Sequence, residues 1–197
     1  MIKRCFDIVV SFYGLFVAMP VLLIIAILVK KSSPGPVFYK GTRVGKNNKV
    51  FKMYKFRTMV ANADKIGGPS TAGDDPRLTL LGKRLKRYKL DELPQLINVL
   101  KGEMSLVGPR PEVPFYVDMM TEEERKTILS VRPGITDWAS LWDFREEEIL
   151  RGSSDPEKTY QEKIRPEKIR LQIKYAKEHS FLKDLLIILK TIGQIFK

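Results

Sequence analysis

From Ile8 to Val29 the chain runs without a charged residue. Wound as a helix at about 1.5 Å per residue, that run reaches about 33 Å, the thickness of a bilayer's hydrocarbon core, so it is predicted to lie in lipid. It is too long for a signal-peptide core, and Lys30-Lys31-Ser32-Ser33-Pro34-Gly35-Pro36 behind it offers no small-residue cleavage pattern. A core helix of this length would show a polar face. Pro20 stands just past the middle, where it removes a backbone hydrogen bond and is expected to bend the helix. Lys3 and Arg4 precede the run and Lys30 and Lys31 follow it, and basic flanks at both ends favour a cytoplasmic position for both. A re-entrant helix kinked at Pro20 meets that condition; a straight span is the alternative the sequence leaves open.

Past the Ser-Pro-Gly break the rhythm changes. Val37 to Lys40 and Val50 to Arg57 read as two short strands around a polar turn, with Phe51 and Met53 offering apolar surface between Lys52, Lys55 and Arg57. Interleaved basic and aromatic residues also line single-stranded nucleic-acid grooves, but half-buried strands with lysines on the wet face look the same. Asn62 to Arg77 is a long polar connection, a candidate cover for a site. Leu78, Leu81 and Leu85 against Lys83, Arg84, Lys86, Arg87 and Lys89 predict a basic amphipathic helix over 78–90. Leu93, Leu96, Ile97 and Leu100 predict a second helix that stops at Gly102, with Asp91 placed to cap it. An acidic helix begins near Thr121, and Val131-Arg132-Pro133-Gly134 marks a turn. Residues 155–177 are charged and helical with an interruption at Pro166. The tail over 181–196 is an amphipathic helix with Phe181, Leu185, Ile188, Leu189, Ile192 and Ile195 on one face, fit for the core or a membrane interface. The chain thus divides into a membrane helix over 1–31 and one cytoplasmic domain over 32–197, of mixed α/β class, mainly helical, with interfacial amphipathic helices.

Charge narrows the partners. Thirty-five Lys and Arg against 23 Asp and Glu give +12 across 197 residues, a field that favours nucleic acid, anionic lipid or phosphorylated substrates. One cysteine, Cys5, excludes an internal disulfide, and one histidine, His179, excludes a His-cluster metal site. Chemistry run by carboxylates, hydroxyls or cations remains. Phosphate-loop, dinucleotide-binding and serine-elbow motifs are absent from the sequence. What stands out is Asp91-Glu92 at a predicted helix start, with Lys86, Arg87 and Lys89 before it and Gly108-Pro109-Arg110-Pro111 after the helix. A carboxylate held ionised by a helix dipole and nearby cations could serve as nucleophile or Mg²⁺ ligand where a diphosphate is split. Taken alone, the same pair is an ordinary helix start. A non-enzymatic, membrane-anchored binder of anionic lipid or nucleic acid would account for the charge and the apolar run, but would leave the pair unused.

The ordered motifs decide between these readings. Val50-Phe51-Lys52-Met53-Tyr54-Lys55-Phe56-Arg57-Thr58-Met59, Asp75-Pro76-Arg77, Leu90-Asp91-Glu92-Leu93-Pro94-Gln95-Leu96, Asn98 to Gly102, Met104 to Pro111 and Val131 to Thr136 resemble, in order, the bacterial sugar transferase family. The likeness is to its small monotopic phosphoglycosyl transferases (PglC-like). It implies that Asp91 attacks the β-phosphate of a UDP-sugar, forms a phosphosugar-aspartyl intermediate and releases UMP. Polyprenol phosphate, usually undecaprenyl phosphate, then takes the phosphosugar, with Mg²⁺ bound near Asp91 and with Glu92 assisting the lipid phosphate. The resemblance further implies a re-entrant helix broken at Pro20, membrane lipid as a partner, no nucleic acid, and a place on the cytoplasmic face of the bacterial inner membrane. A homodimer or the pathway's glycosyltransferases are the protein partners it suggests. Arg110 and Arg132, with Lys86, Arg87 and Lys55, are the phosphate-binding candidates. Sugar contacts are expected from the region 138–151. This chain departs from the family in Met19 ahead of Pro20, where Ser is common, in Tyr88-Lys89 where Ser or Thr precedes Leu-Asp-Glu, and in Asp137 where a Gly is usual.

Overall fold

The computed structural model describes residues 1–63, 66, 68, 70–144 and 146–195. Positions 64, 65, 67 and 69 of the 62–77 connection, 145 within 138–151, and 196–197 at the end of the tail lie outside the described residues.

Helix α1 (Ile2–Ser32) runs without interruption through Pro20. It extends beyond the uncharged run at both ends because its charged residues find partners in the rest of the chain. Lys3 Nζ donates to Val107 O at 3.0 Å and to Asp184 Oδ2 at 2.6 Å. Arg4 donates to the carbonyls of Val99 and Leu100 at 2.7 and 3.1 Å. The buried Asp7 accepts from Ser105 Oγ at 2.8 Å and Leu106 N at 3.1 Å. At the other end Ile25 and Val29 share a buried cluster with Phe56 and Leu85. Arg57 caps that end, donating to the carbonyls of Val29, Ser33 and Pro34 at 3.2, 2.6 and 2.8 Å, acceptors a helix C-terminus otherwise leaves unpaired. Between the ends Phe12, Phe16, Val17, Leu23 and Ile24 are exposed.

The predicted hairpin forms from β1 (Phe38–Val44) and β2 (Val50–Phe56), antiparallel with Phe38 opposite Phe56 and Val44 opposite Val50. Its turn places Asn47 and Asn48 at φ 56 and 60, left-handed positions that Asn tolerates. Phe51 and Met53 alternate inward onto Val99 and Met104. Helix α2 (Leu80–Arg87) is shorter than the pattern suggests, because Thr79 Oγ1 caps it by accepting from Gly82 N at 2.9 Å. Helix α3 (Gln95–Lys101) ends at Gly102 with φ 82, the left-handed stop its sequence predicts. Asn98 locks α3 to the hairpin, accepting from Tyr54 N at 3.0 Å and donating to Lys52 O at 2.8 Å.

The pattern missed a second sheet, in which β3 (Ser105–Val107) pairs in parallel with β4 (Gly134–Thr136). The strands approach so closely at their ends that a Cβ on Gly108 would stand 2.3 Å from Arg132 O, and one on Gly134 would stand 2.0 Å from Gly108 N. Between them lie α4 (Pro114–Asp118) and α5 (Glu122–Ile128), the latter opened by the reciprocal Thr121–Glu124 capping box. Short helices α6 (Trp138–Trp142), α7 (Glu146–Ile149) and α8 (Pro156–Thr159) lead through a wide turn at Tyr160–Ile164 into α9 (Arg165–Glu178). Pro166 sits in the first turn of α9, where its missing N–H costs nothing, so it opens a helix rather than interrupting one. The tail forms α10 (Phe181–Ile195), in which the buried residues are Asp184 and Ile187. Asp184 is pinned by Lys3 and by Tyr175 Oη at 2.7 Å, which turns Ile187 inward and leaves Leu189 and Ile192, with Leu182 and Leu186, on the outside. The class is mixed α/β and mainly helical, as read.

Candidate functional site

Local geometry at the Asp-Glu pair differs from a simple helix start. Lys89 adopts a left-handed φ of 53 and reverses the chain after α2, and Leu90–Glu92 then winds as a single tight turn. Pro94 occupies the cap position of α3 with no side-chain cap, so Asp91 does not cap that helix as its spacing suggested. Its carboxyl is instead sequestered: Asp91 is 4% exposed and its Oδ1 has no hydrogen-bond partner. Glu92 is held from two sides. Lys55 Nζ, from β2, donates to Glu92 Oε1 at 2.8 Å, while Arg110, from the loop after β3, grips both oxygens, through Nη1 to Oε2 at 3.0 Å and through Nη2 to Oε1.

Both carboxyls open onto a cavity of about 1340 Å³. Lys55, Lys86, Lys89, Asp91, Glu92 and Arg110 line it, along with apolar side chains of α1, α3 and α10 such as Phe6, Leu96 and Ile188. Ala63, Gly68 and Ser70 of the polar connection also border it. Arg77 holds that border by donating to Ala63 O, Gly68 O and Ser70 O while forking onto Asp75, so the Asp-Pro-Arg motif is a loop brace.

The electrostatics separate the pair. Burial, with the Glu92 charge adding to it, pushes Asp91 above its ordinary range against the pull of Lys55, Lys86 and Lys89. No helix dipole offsets that burial, which reverses the sequence expectation of a carboxylate stabilised by its helix. Glu92 is largely buried too, its side chain 12% exposed, yet Arg110 and Lys55 hold it well below the usual carboxylate range. Burial lowers Lys55 from 10.5 to about 8, with Glu92 resisting. Glu92 is therefore the fixed anion of the site, and Asp91 the carboxyl with an oxygen to spare.

Two predicted phosphate ligands lie elsewhere. Arg87 is exposed, its guanidinium 5.9 Å from the Tyr88 ring centroid, and does not border the cavity. Arg132 does not border it either: its Nε donates to Gly102 O at 3.0 Å at the end of α3, and its own carbonyl abuts Gly108. The motif around Arg132 builds the close approach of β3 and β4. Asp137 is buried as the cap of α6, accepting from Ser140 N and Ser140 Oγ at 2.7 Å each.

Within 138–151, where the sequence places sugar contacts, Asp143 and Glu146 border the cavity; the sequence did not single out Lys168, Glu112 or Tyr160, which join them. Lys168 Nζ of α9, fully buried, lies 3.2 Å from Glu146 Oε2, 3.6 Å from both Glu112 Oε1 and Asp143 Oδ2, and 3.2 Å from Tyr160 Oη. All five side chains border the cavity. They come from separate segments, so no local spacing announces them.

For a metal, the described residues hold no group of three or more His, Cys, Asp or Glu side chains placed to bind one. A single carboxylate with an unpaired oxygen fits a hard cation that takes its other ligands from water and from substrate phosphates, as Mg²⁺ does.

The bacterial sugar transferase family matches residues 1–197. An Aeromonas hydrophila protein named UDP-N-acetylgalactosamine-undecaprenyl-phosphate N-acetylgalactosaminephosphotransferase is 39% identical over 197 residues, covering 98% of this chain and 43% of that protein. The Escherichia coli (strain K12) UDP-glucose:undecaprenyl-phosphate glucose-1-phosphate transferase is 38% identical, over all of this chain and 40% of its own length. The exopolysaccharide production protein PSS of Rhizobium leguminosarum bv. phaseoli is 39% identical across 97% of this chain and 93% of its own. The chain therefore spans less than half of the first two and nearly all of the third.

Proposed function

The chain belongs to the bacterial sugar transferase family, and from that premise we propose that it moves a sugar phosphate from a UDP-sugar to a polyprenol phosphate, undecaprenyl phosphate, through a covalent bond to Asp91. The observation that carries this reading is the unpaired, buried oxygen of Asp91 beside a Glu92 already saturated by cations. A binder of anionic surfaces has no use for such a carboxyl.

In the first half-reaction an Asp91 oxygen attacks the β-phosphorus of the donor. The bond from that phosphorus to the bridging oxygen breaks, and UMP leaves with the bridging oxygen. In the second, an oxygen of the lipid phosphate attacks the same phosphorus, the aspartyl–phosphorus bond breaks, and polyprenyl diphosphate sugar departs while Asp91 is regenerated. Lys55 and Arg110 offset the charge of the diphosphate, Lys86 and Lys89 add to the field, and Glu92 keeps the two bound cations aimed at the lipid phosphate. Asp91 would hold Mg²⁺, which when bound neutralises phosphate charge.

The membrane placement follows from α1. It is long and apolar enough to cross a bilayer. Support for re-entry is that both of its ends are fixed to the same domain, Lys3, Arg4 and Asp7 at one and Ile25 and Val29 at the other. Lys3, Arg4, Lys30 and Lys31 favour the cytoplasmic side of the bacterial inner membrane for that domain. The exposed Leu182, Leu186, Leu189 and Ile192 suit α10 to the interface.

The test is a single-turnover experiment. Without lipid acceptor the protein should release about one UMP per site and stall. Asp91→Asn should release none while melting within a few degrees of the parent protein, since an amide keeps the shape and cannot attack phosphorus. The trapped phosphosugar should map to Asp91. An adduct on Glu92, or a strictly ternary rate law, would overturn the mechanism.

A further inference from the structure

We propose that the cavity wall formed by Glu112, Asp143, Glu146, Tyr160 and Lys168 receives the hexose of the donor, and that Asp143 and Glu146 discriminate between sugars. The inference rests on the transferase reading and names the part of the substrate each wall takes.

The lining carries two chemistries, and Arg110 interacts with both. Lys55, Lys86 and Lys89, whose charges act on Asp91, form a surface for phosphate. Three carboxyls, one phenol and one ammonium border the same cavity, with Lys168 as the common partner. Three carboxyls repel a phosphate. They suit an uncharged ligand dense in hydroxyls, each of which donates to a carboxylate and accepts from an ammonium or phenol.

One atom there makes no hydrogen bond: Asp143 has a side chain 5% exposed, and its Oδ2 meets Lys168 Nζ only as an ion pair at 3.6 Å, beyond hydrogen-bonding range. A buried acceptor left open in this way costs free energy that a ligand hydroxyl would recover. Burial, with the charge of Glu146 and a hydrogen bond shared with its carboxyl adding to it and Lys168 opposing, brings the Asp143 carboxyl up to about 7, so near neutral pH the same group can also donate. Glu146, lowered to about 2 by Lys168 against its burial, only accepts.

The ribose of the donor carries hydroxyls too, but connectivity favours the hexose. The hexose is joined through one ester oxygen to the phosphorus that Asp91 attacks, whereas the ribose lies beyond the leaving phosphate. The mixed wall begins one residue from the reacting pair, because Arg110 binds Glu92 directly and its charge also acts on Glu146 and Asp143.

The experiment compares the full-length protein in detergent micelles with Asp143→Asn and Glu146→Gln. Glu146 keeps 29% side-chain exposure and is the variant less prone to misfold, and thermal melting of each checks the fold. Saturation-transfer NMR is recorded on UDP-glucose, UDP-galactose, UDP-N-acetylglucosamine and UDP-N-acetylgalactosamine, and UMP release is measured with each. The variants should lose saturation at the hexose-ring protons while the uracil protons keep theirs. The order of preference among the four donors should change, with individual kcat/KM values falling by about 10- to 150-fold, the range for one charged hydrogen bond. A uniform fall with the donor order preserved would make the cluster a structural ion network and overturn the proposal. Loss at the ribose and uracil protons with the hexose signals intact would overturn it in favour of a nucleoside site. Failure of the transferase reading is separate: the unaltered protein would bind these donors through the hexose yet release no UMP.

Discussion

Lys55 is asked to stay charged in a place that discourages charge. Burial lowers it to about 8, and only Glu92 and, less strongly, Asp91 keep it from falling further. Its ion pair with Glu92 is thus intact at neutral pH and lost as pH rises through about 8. Stability moves the other way. Between about 8 and its ordinary 10.5 the unfolded chain binds more protons at this residue than the folded one, so the Lys55 contribution to stability increases with pH. We expect kcat/KM for UMP release to decline through that window with no loss of melting temperature assigned to Lys55. Lys55→Arg, which stays protonated, should carry the alkaline limb upward, and a limb that does not move would detach it from Lys55. At this scale the sequence was informative where neighbours in the chain remain neighbours in space, as with Asp91 and Glu92. Arg87 and Arg132 show the opposite. Both are cations close in sequence to the site motifs, yet helix phase turns Arg87 to solvent, and a strand crossing spends Arg132 on Gly102 O. Lys168 gave no signal because a charged residue in a charged helix looks solvated until distant carboxyls, two of them from the 138–151 region, are folded onto it.

Elements longer than about two turns announced themselves by period, and short ones did not. Strands β3 and β4 have three residues each, and all of Ser105–Val107 is buried, so no alternation marks them. Their informative residues are the glycines. Gly108→Ala would force a Cβ to 2.3 Å from the Arg132 carbonyl, a backbone atom held by the sheet, and should destabilise by about 1–3 kcal/mol or more. Gly193→Ala in α10, where an added Cβ meets nothing within 4 Å, should be neutral or stabilise by about 0.5–1 kcal/mol. Chemical denaturation of the two variants in micelles checks the pair. Equal midpoints would show that the sheet ends yield more easily than their separation implies. In α10 the sequence identified an amphipathic helix but left its inner side open, because hydrophobic periodicity does not register a buried Asp184 bound by Lys3 and Tyr175.

For the molecule as a whole, the decisive question is on which side each end of α1 lies. A straight helix of 31 residues would measure about 46 Å. Anchors at Lys3 to Asp7 and at Ile25 to Val29 bind one domain, so we expect both ends on the cytoplasmic face. A single cysteine at position 2, placed in a Cys5→Ser background because Cys5 is itself exposed, should react with a membrane-impermeant maleimide only after the inner membrane is opened. Labelling in intact spheroplasts would establish a spanning helix instead.

The stitching of α1 at both ends has a practical side. A membrane tether can usually be cut away to leave a soluble enzyme, but here the helix is part of the masonry. A version trimmed after Ser33 would uncover Phe56 and Leu85, deprive the Leu106 amide of its acceptor and strand Asp184 without its ammonium. Handling this protein in water is therefore a matter of finding a substitute for the lipid around α1, since the wall facing the bilayer also supports the rooms behind it.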